Sequence, residues 1–343
     1  MTPLPPPAGP VPLLSDEAAV RAFLAGPLGV DPDGARMEFL PGGVSSAIVR
    51  VEIGGDCFVV KQALPQLRVR TTWLSRPERS AVEARCAEVL SRLVPGSVPV
   101  VLRVVPGSHA FVMECAPAGS ETWKAQLMRE AVDLSVASAA GALLGRIHTA
   151  SAASPGLASE FADQSFFDEL RLEPFLRYTA SRHPDLATGL SALAGELAAP
   201  GVCLVHGDYS PKNILVTPGG HLLLLDHEVA HWGQPAFDVA FALGHLCLKA
   251  VHFHGVGLHL RAAVDFLASY RASSSVSDAA TGALCGRTLA GLMLARVDGR
   301  STVEYLDDED ARLVRELAAE ALRARVAGPD VVLEAVRRVT TDA

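Results

Sequence analysis

The stretch His206-Gly207-Asp208-Tyr209-Ser210-Pro211-Lys212-Asn213 decides how this chain is read. The apolar run Cys203-Leu204-Val205 leads into it and Ile214-Leu215-Val216 leads out, so a polar loop lies between two short strands. A third apolar run, Leu222 to Leu225, passes directly into Asp226-His227-Glu228. Asp208 and Asn213 offer a carboxylate and an amide oxygen from one loop, and Asp226 and Glu228 add carboxylates at a nearby strand end. Hard oxygen donors of this kind take Mg2+, and a carboxylate can orient or deprotonate a hydroxyl that attacks a phosphoryl group. Asp and Asn also enter turns for their own backbone hydrogen bonds, but that alone leaves the second acidic cluster without a reason. His206 reads as a buried hydrogen-bonding anchor of the loop.

Upstream, Ser15-Asp16-Glu17 opens an amphipathic segment to about Leu24, with Ser15 as the expected N-cap. Three strands follow around Arg36 to Leu40, Ala47 to Ile53 and Cys57 to Lys61, separated by the turn signals Pro41-Gly42-Gly43 and Gly54-Gly55-Asp56. Pro77 to Val94 predicts a helix, and Val98 to Val105 and Ala110 to Glu114 predict two more strands. This order is α+β, without the strand-helix alternation of a doubly wound sheet. From Glu121 on the pattern is mainly helical. The expected organisation is a disordered leader over 1–14, an N-terminal lobe over 15–116 and a C-terminal lobe over 117–343.

The loop and the D-x-E that follows it resemble the aminoglycoside phosphotransferase and choline kinase family, whose catalytic loop reads H-G-D-x-x-x-x-N within a two-lobed protein-kinase-like fold. The resemblance implies a five-stranded antiparallel sheet with a helix in a small nucleotide-binding lobe, and a larger helical lobe carrying the acceptor pocket. It implies Asp208 as catalytic base and Asn213, Asp226 and Glu228 as metal ligands. Lys61, one of only four lysines, ends the third predicted strand, where the family places its phosphate-binding lysine. Glu83 is the expected ion-pair partner, in an R-x-x-x-E pattern with Arg79. Gly42, Gly43, Ser45 and Ser46 occupy the place of the phosphate-covering loop, and Glu114 to Ala116 the hinge that meets adenine. Asp238, in Gly233-Gln234-Pro235-Ala236-Phe237-Asp238, is expected to brace the catalytic loop. The string from Lys61 to Pro65 with Arg68, together with Asp226-His227-Glu228, resembles methylthioribose kinases in particular. The implied activity is transfer of the ATP γ-phosphate, with Mg2+, to a hydroxyl of a sugar such as methylthioribose, an aminoglycoside or an amino-alcohol. A catalytically inactive nucleotide-binding pseudokinase is the alternative, against which the retention of Lys61, Asp208, Asn213 and Asp226 together speaks.

Composition limits the rest. With 343 residues, 49% hydrophobic, the chain has material for two domains. Thirty Lys and Arg against 38 Asp and Glu give a net charge of -8 and show no basic stripe, which speaks against a nucleic-acid partner. That charge is also too weak a field to select cationic acceptors. No apolar run reaches the roughly 20 residues of a membrane span. Absence of G-x-S-x-G, H-E-x-x-H and C-x-x-C argues against a hydrolase. The six scattered cysteines, Cys57, Cys86, Cys115, Cys203, Cys247 and Cys285, suggest buried reduced thiols in a cytoplasmic protein. His245, His252, His254 and His259 raise a metal site, but Gly255 and Gly257 interrupt the helix that would align them. Arg296 to Ser301 either faces the acceptor pocket or forms a surface ion pair through Arg296 and Asp298. The sequence leaves a homodimer open.

Overall fold

A computed structural model describes residues 13–41, 45–66, 74–154, 156–254, 257–276 and 278–341. The chain divides into two units, Met1–Pro117 and Ala118–Ala343.

In the first unit, β1 (Arg36–Phe39), β2 (Ser46–Ile53), β3 (Asp56–Ala63), β4 (Val101–Val105) and β5 (Ala110–Glu114) form one antiparallel sheet in the order β1-β2-β3-β5-β4. The β2–β3 hairpin turns at Gly54-Gly55, with φ of 60° and 94°. Two consecutive positive φ angles are what a two-residue turn between right-twisted strands needs, and glycine adopts them without strain. Alternation along β2 buries Val49 and Val51 in a core with Val20, Phe23 and Leu14. Leu14, at the end of the expected leader, is thus a core residue, and its N–H donates to Gln62 Oε1 at 2.7 Å. The helix Glu17–Phe23 is capped by Asp16, whose carboxylate accepts from Ala19 N–H at 2.9 Å. Ser15, the expected cap, instead donates its hydroxyl to Asp16. The helix Arg79–Leu93 starts from a buried Arg79, whose guanidinium donates to the carbonyls of Ser45, Leu64, Ser75 and Arg76.

The cysteine expectation requires correction. Cys57 and Cys115 form a disulfide with Cα atoms 5.8 Å apart. The reason is register: β3 lies beside β5 with Phe58 opposite Glu114, so the next rung sets Cys57 facing Cys115. Cys86, Cys203, Cys247 and Cys285 are buried and outside the disulfide, as expected.

The second unit is mostly helix. Its strands are β6 (Glu121–Thr122), β7 (Cys203–Val205), β8 (Ile214–Val216), β9 (Leu222–Leu224) and β10 (His231–Gly233), arranged as β6-β8-β9 and β10-β7. β7, β8 and β9 are the three apolar runs read from the sequence; β6 and β10 are too short and too polar to be read that way. Around them pack the helices Leu134–Ala152, Ala236–His252, Leu258–Ser273, Asp278–Asp298 and Asp308–Arg323. Residues 168–177 wind as a wider π-helix containing Pro174. Among the described residues no helix is long and apolar enough to cross a membrane.

Candidate active site

The loop between β7 and β8 is built to hold one carboxylate. Gly207 has φ of 75°, and a Cβ there would come within 2.8 Å of Val229 Cγ2, so no larger residue fits. The N–H groups of His206 and Gly207 donate to the two carboxylate oxygens of Asp238, at 2.7 and 2.8 Å. Asp238 is fully buried; burial works against its charge, but His148 and the loop amides outweigh it and keep its pKa below the ordinary value. This is the brace expected of it. His206 Nδ1 accepts from Asp208 N–H at 3.1 Å, so its proton sits on Nε2, which donates to Leu225 O at 3.0 Å. Burial lowers the His206 pKa, which keeps the ring neutral. Tyr209 donates its hydroxyl to Ala140 O at 2.8 Å and pins the loop from beneath.

Asp208 is 2% exposed. Arg171 Nη2 and Lys212 Nζ each lie 2.9 Å from its Oδ2, and Arg171 Nε donates to Gly207 O at 2.7 Å. Burial alone would raise the Asp208 carboxyl; the two cations overcome it and the net direction is down. The group is therefore ionised at neutral pH. Arg171, on the π-helical segment, was not singled out by the sequence, where nothing local marks a residue 37 positions before its partner.

Asn213 closes the loop. Its Nδ2 donates to Asp208 O at 2.9 Å, which turns Oδ1, the oxygen that a metal would take, away from that bond. Asp226 directly follows the strand-end Leu225 with φ of 68°, a left-handed conformation that Asp tolerates better than most residues. One of its carboxylate oxygens lies within 4.8 Å of one from the buried Glu228. This set of hard oxygens suits a divalent cation of the Mg2+ type.

In the first unit Lys61 Nζ meets Glu83 Oε1 at 2.6 Å, with both residues 4% exposed. The expected pair is present. Ser45 is half-buried and gives its carbonyl to Arg79, while Ser46 is buried in β2 opposite Ala63. Gly42, Gly43 and Arg68 lie outside the described residues. Glu114 ends β5 exposed, with its N–H donated to Val100 O at 3.0 Å, and Ala116 follows half-buried.

The histidines do not converge. His252 and His254 both turn to Asp310, at 3.2 and 3.0 Å; His259 bonds Leu127 O at 2.9 Å and His245 faces Arg296 at 3.0 Å. Arg296 and Asp298 point apart, Asp298 meeting His183 and Arg315.

A buried carboxylate on a braced H-G-D-x-x-x-x-N loop, a downstream acidic pair and a lysine–glutamate pair beside a five-stranded antiparallel sheet define a protein-kinase-like phosphotransferase fold. A profile of the phosphotransferase enzyme family matches residues 36–264, and the chain belongs to that family. It is 27% identical over 227 residues to the methylthioribose kinase of Pectobacterium atrosepticum, a match that takes in 59% of this chain and 56% of that enzyme. The chain thus spans a little over half the length of this curated relative. Among solved structures, amicoumacin kinase in complex with AMP-PNP and Ca2+ is similar at a TM-score of 0.59 and 15% identity, over 92% of this chain and 95% of that one. The Plasmodium vivax ethanolamine kinase is similar at 0.54 and 10%, over 97% and 90%. At such identities the likeness to solved structures speaks for the fold.

Proposed function

We propose that this protein is an ATP- and Mg2+-dependent kinase that phosphorylates a hydroxyl group of a small molecule in the cytoplasm. The observation that carries the reading is the state of Asp208: buried, ionised, fixed by Asp238 through the loop backbone, and next in the loop to an Asn213 whose amide oxygen is turned free.

In this reading Lys61, oriented by Glu83, grips the α- and β-phosphates of ATP. Asn213, Asp226 and Glu228 are the residues that would hold Mg2+, which when bound neutralises charge on the phosphates. Asp208 accepts a hydrogen bond from the acceptor hydroxyl and takes its proton as the oxygen bonds to the γ-phosphorus and the bond to ADP breaks. Arg171 and Lys212 keep Asp208 anionic until then, and the rigid loop sets its direction, which is where positioning contributes most. The relatives are named for methylthioribose, amicoumacin and ethanolamine, so a sugar, an antibiotic or an amino-alcohol are the starting acceptors, and no nucleic acid or membrane partner is required.

The test is transfer of labelled γ-phosphate from Mg·ATP to a panel of hydroxyl compounds, beside Asp208→Asn. Transfer that drops about 100- to 10,000-fold in kcat in the variant, with Mg·ATP affinity kept, is the expected result. Absence of both transfer and Mg·ATP binding would overturn the reading.

A further inference from the structure

The second unit contains positive charge without an acid to match it. From Asp208 the cations run inward. Arg171 lies over one part of the Phe241 ring at 5.9 Å, and Arg296 approaches the same ring at 5.6 Å and Phe175 at 5.0 Å. Arg296 Nη2 faces His245 Nε2 at 3.0 Å, so that nitrogen accepts and the ring is neutral. One helical turn further along, Lys249 is 1% exposed, its Nζ 3.2 Å from His245 O and 5.1 Å from the centre of the Tyr305 ring.

Three donors here have hydrogen-bonding capacity that is not met by the described residues. Among these residues Lys249 has one hydrogen-bond acceptor, a carbonyl of its own helix, for three ammonium hydrogens. Arg296 Nε and the Tyr305 hydroxyl are both buried with no partner among the described residues. No carboxylate pairs with Lys249 or Arg296 among the described residues; Arg296 bonds Ser301 and His245 only. Burial first, then the neighbouring cations Lys124 and Arg296, drive the Lys249 ammonium down to about 7, and burial lowers Arg296 to about 10. Buried charges in native proteins are paired or serve a ligand, and an unmet buried donor calls for one. His245, Arg296 and Tyr305 are each only partly buried.

We infer that Lys249, Arg296 and Tyr305 form an acceptor subsite for an anionic group, and that the molecule phosphorylated is a hydroxyl compound bearing a carboxylate or a phosphate. The inference rests on the kinase reading for the word acceptor, and on these three residues alone for the anion. It separates this chain from kinases of cationic acceptors, and it sets a local positive site inside a chain of net charge -8.

The test pairs acceptors that differ only in charge: gluconate with glucose, ribose 5-phosphate with ribose, and glycerate with glycerol, beside choline and kanamycin. The anionic member of at least one pair should be favoured in kcat/KM by about 10- to 100-fold, the range of a charge-assisted hydrogen bond, and Lys249→Met should erase that preference while Mg·ATP affinity stays unchanged. Which pair responds distinguishes carboxylate from phosphate. If no acceptor is phosphorylated at all, calorimetric titration of gluconate, ribose 5-phosphate and inorganic sulfate without nucleotide decides the subsite by itself. Binding that Lys249→Met abolishes upholds the anion subsite while the kinase reading falls. Equal or better use of uncharged or cationic acceptors, or no anion binding in wild type, overturns it. Should Lys249→Met fail to fold, Tyr305→Phe serves, with a smaller loss of preference expected.

Discussion

Two of the four lysines are buried, and they are buried in opposite ways. Lys61, on β3, faces Glu83 at 2.6 Å, so its charge is met inside the protein and its direction is set before any nucleotide arrives. Lys249, in the helix Ala236–His252, has a main-chain carbonyl and an aromatic ring for company. A matched pair holds a cation charged and aimed; an unmatched one lowers the cation's pKa and leaves its hydrogen-bonding capacity for something else. The same residue type therefore reads as pre-organisation in the first unit and as an unfilled site in the second.

The largest effect should come from breaking the matched pair. Lys61→Met removes the cation 2.6 Å from Glu83, a carboxylate that is 4% exposed. Loss of one partner from a buried pair costs about 3 to 5 kcal/mol, and urea denaturation should show it together with loss of Mg·ATP binding. A variant as stable as wild type would mean that the pair is not buried in solution.

Next in size is the disulfide. Cys57 and Cys115 enclose a segment with a sequence separation of 58. Reduction, or the double change Cys57→Ala with Cys115→Ala, should lower stability by about 2 to 4 kcal/mol. The second unit has no such link among the described residues, so limited proteolysis after reduction should open sites before Pro117 first. Unchanged stability in excess dithiothreitol would show that the link is not formed in the purified protein.

Breaking the other side of the comparison should have the reverse sign. Lys249→Met replaces an unmatched buried ammonium by an apolar chain of similar length and should stabilise the protein by about 1 kcal/mol or more. The gain depends on pH. Lys249 has a pKa of about 7 in the folded protein against an ordinary 10.5, so between those values the unfolded chain holds more protons and wild-type stability rises with pH. The penalty is full below pH 7, and the gain from Lys249→Met should be larger at pH 6 than at pH 9. Equal gains at both would show that burial does not lower the Lys249 pKa in the folded protein.

The readable parts of this molecule were those whose chemistry is confined to a short span. Asp208, Asn213, Asp226 and Glu228 fall within 21 consecutive positions, and Lys61 with Glu83 follows from strand then helix. Asp238 was readable because a helix start places it. Arg171 was not, because its contact with Asp208 depends on how a π-helical segment packs, which no periodicity encodes. Lys249 sits in an apolar helical pattern, and a lysine in Leu246-Cys247-Leu248-Lys249-Ala250-Val251 is the signal the sequence offers for it. The disulfide was missed because Cys57 and Cys115 meet only when β5, and not β4, pairs with β3. Strand order is a tertiary fact, and each strand's own sequence is silent on it.

The smallest expected effect is the most specific to the unmatched lysine. An anion bound at Lys249 favours the ammonium and raises its pKa, so binding takes up a proton whenever the free site has lost it. Affinity for gluconate, whose carboxylate is ionised throughout, should be constant from about pH 5.5 to 7; for ribose 5-phosphate the phosphate's own second ionisation at about pH 6 adds to the profile. Above about pH 7 the dissociation constant should rise by up to about tenfold per pH unit until the pKa of the occupied site is reached. Other groups face the same space. His245 is held well below its ordinary pKa, by burial first, and His259 is lowered, also by burial first, so neither gains charge there in this window. The Tyr305 hydroxyl is pushed up by burial and stays protonated, while Arg296, at about 10, stays cationic; Lys124 is exposed. His252, bonded to Asp310, lies 5.2 Å from the Tyr305 ring. His252→Gln should leave the profile in place and Lys249→Met should flatten it. The opposite pattern would place the anion beside His252 and overturn the role of Lys249.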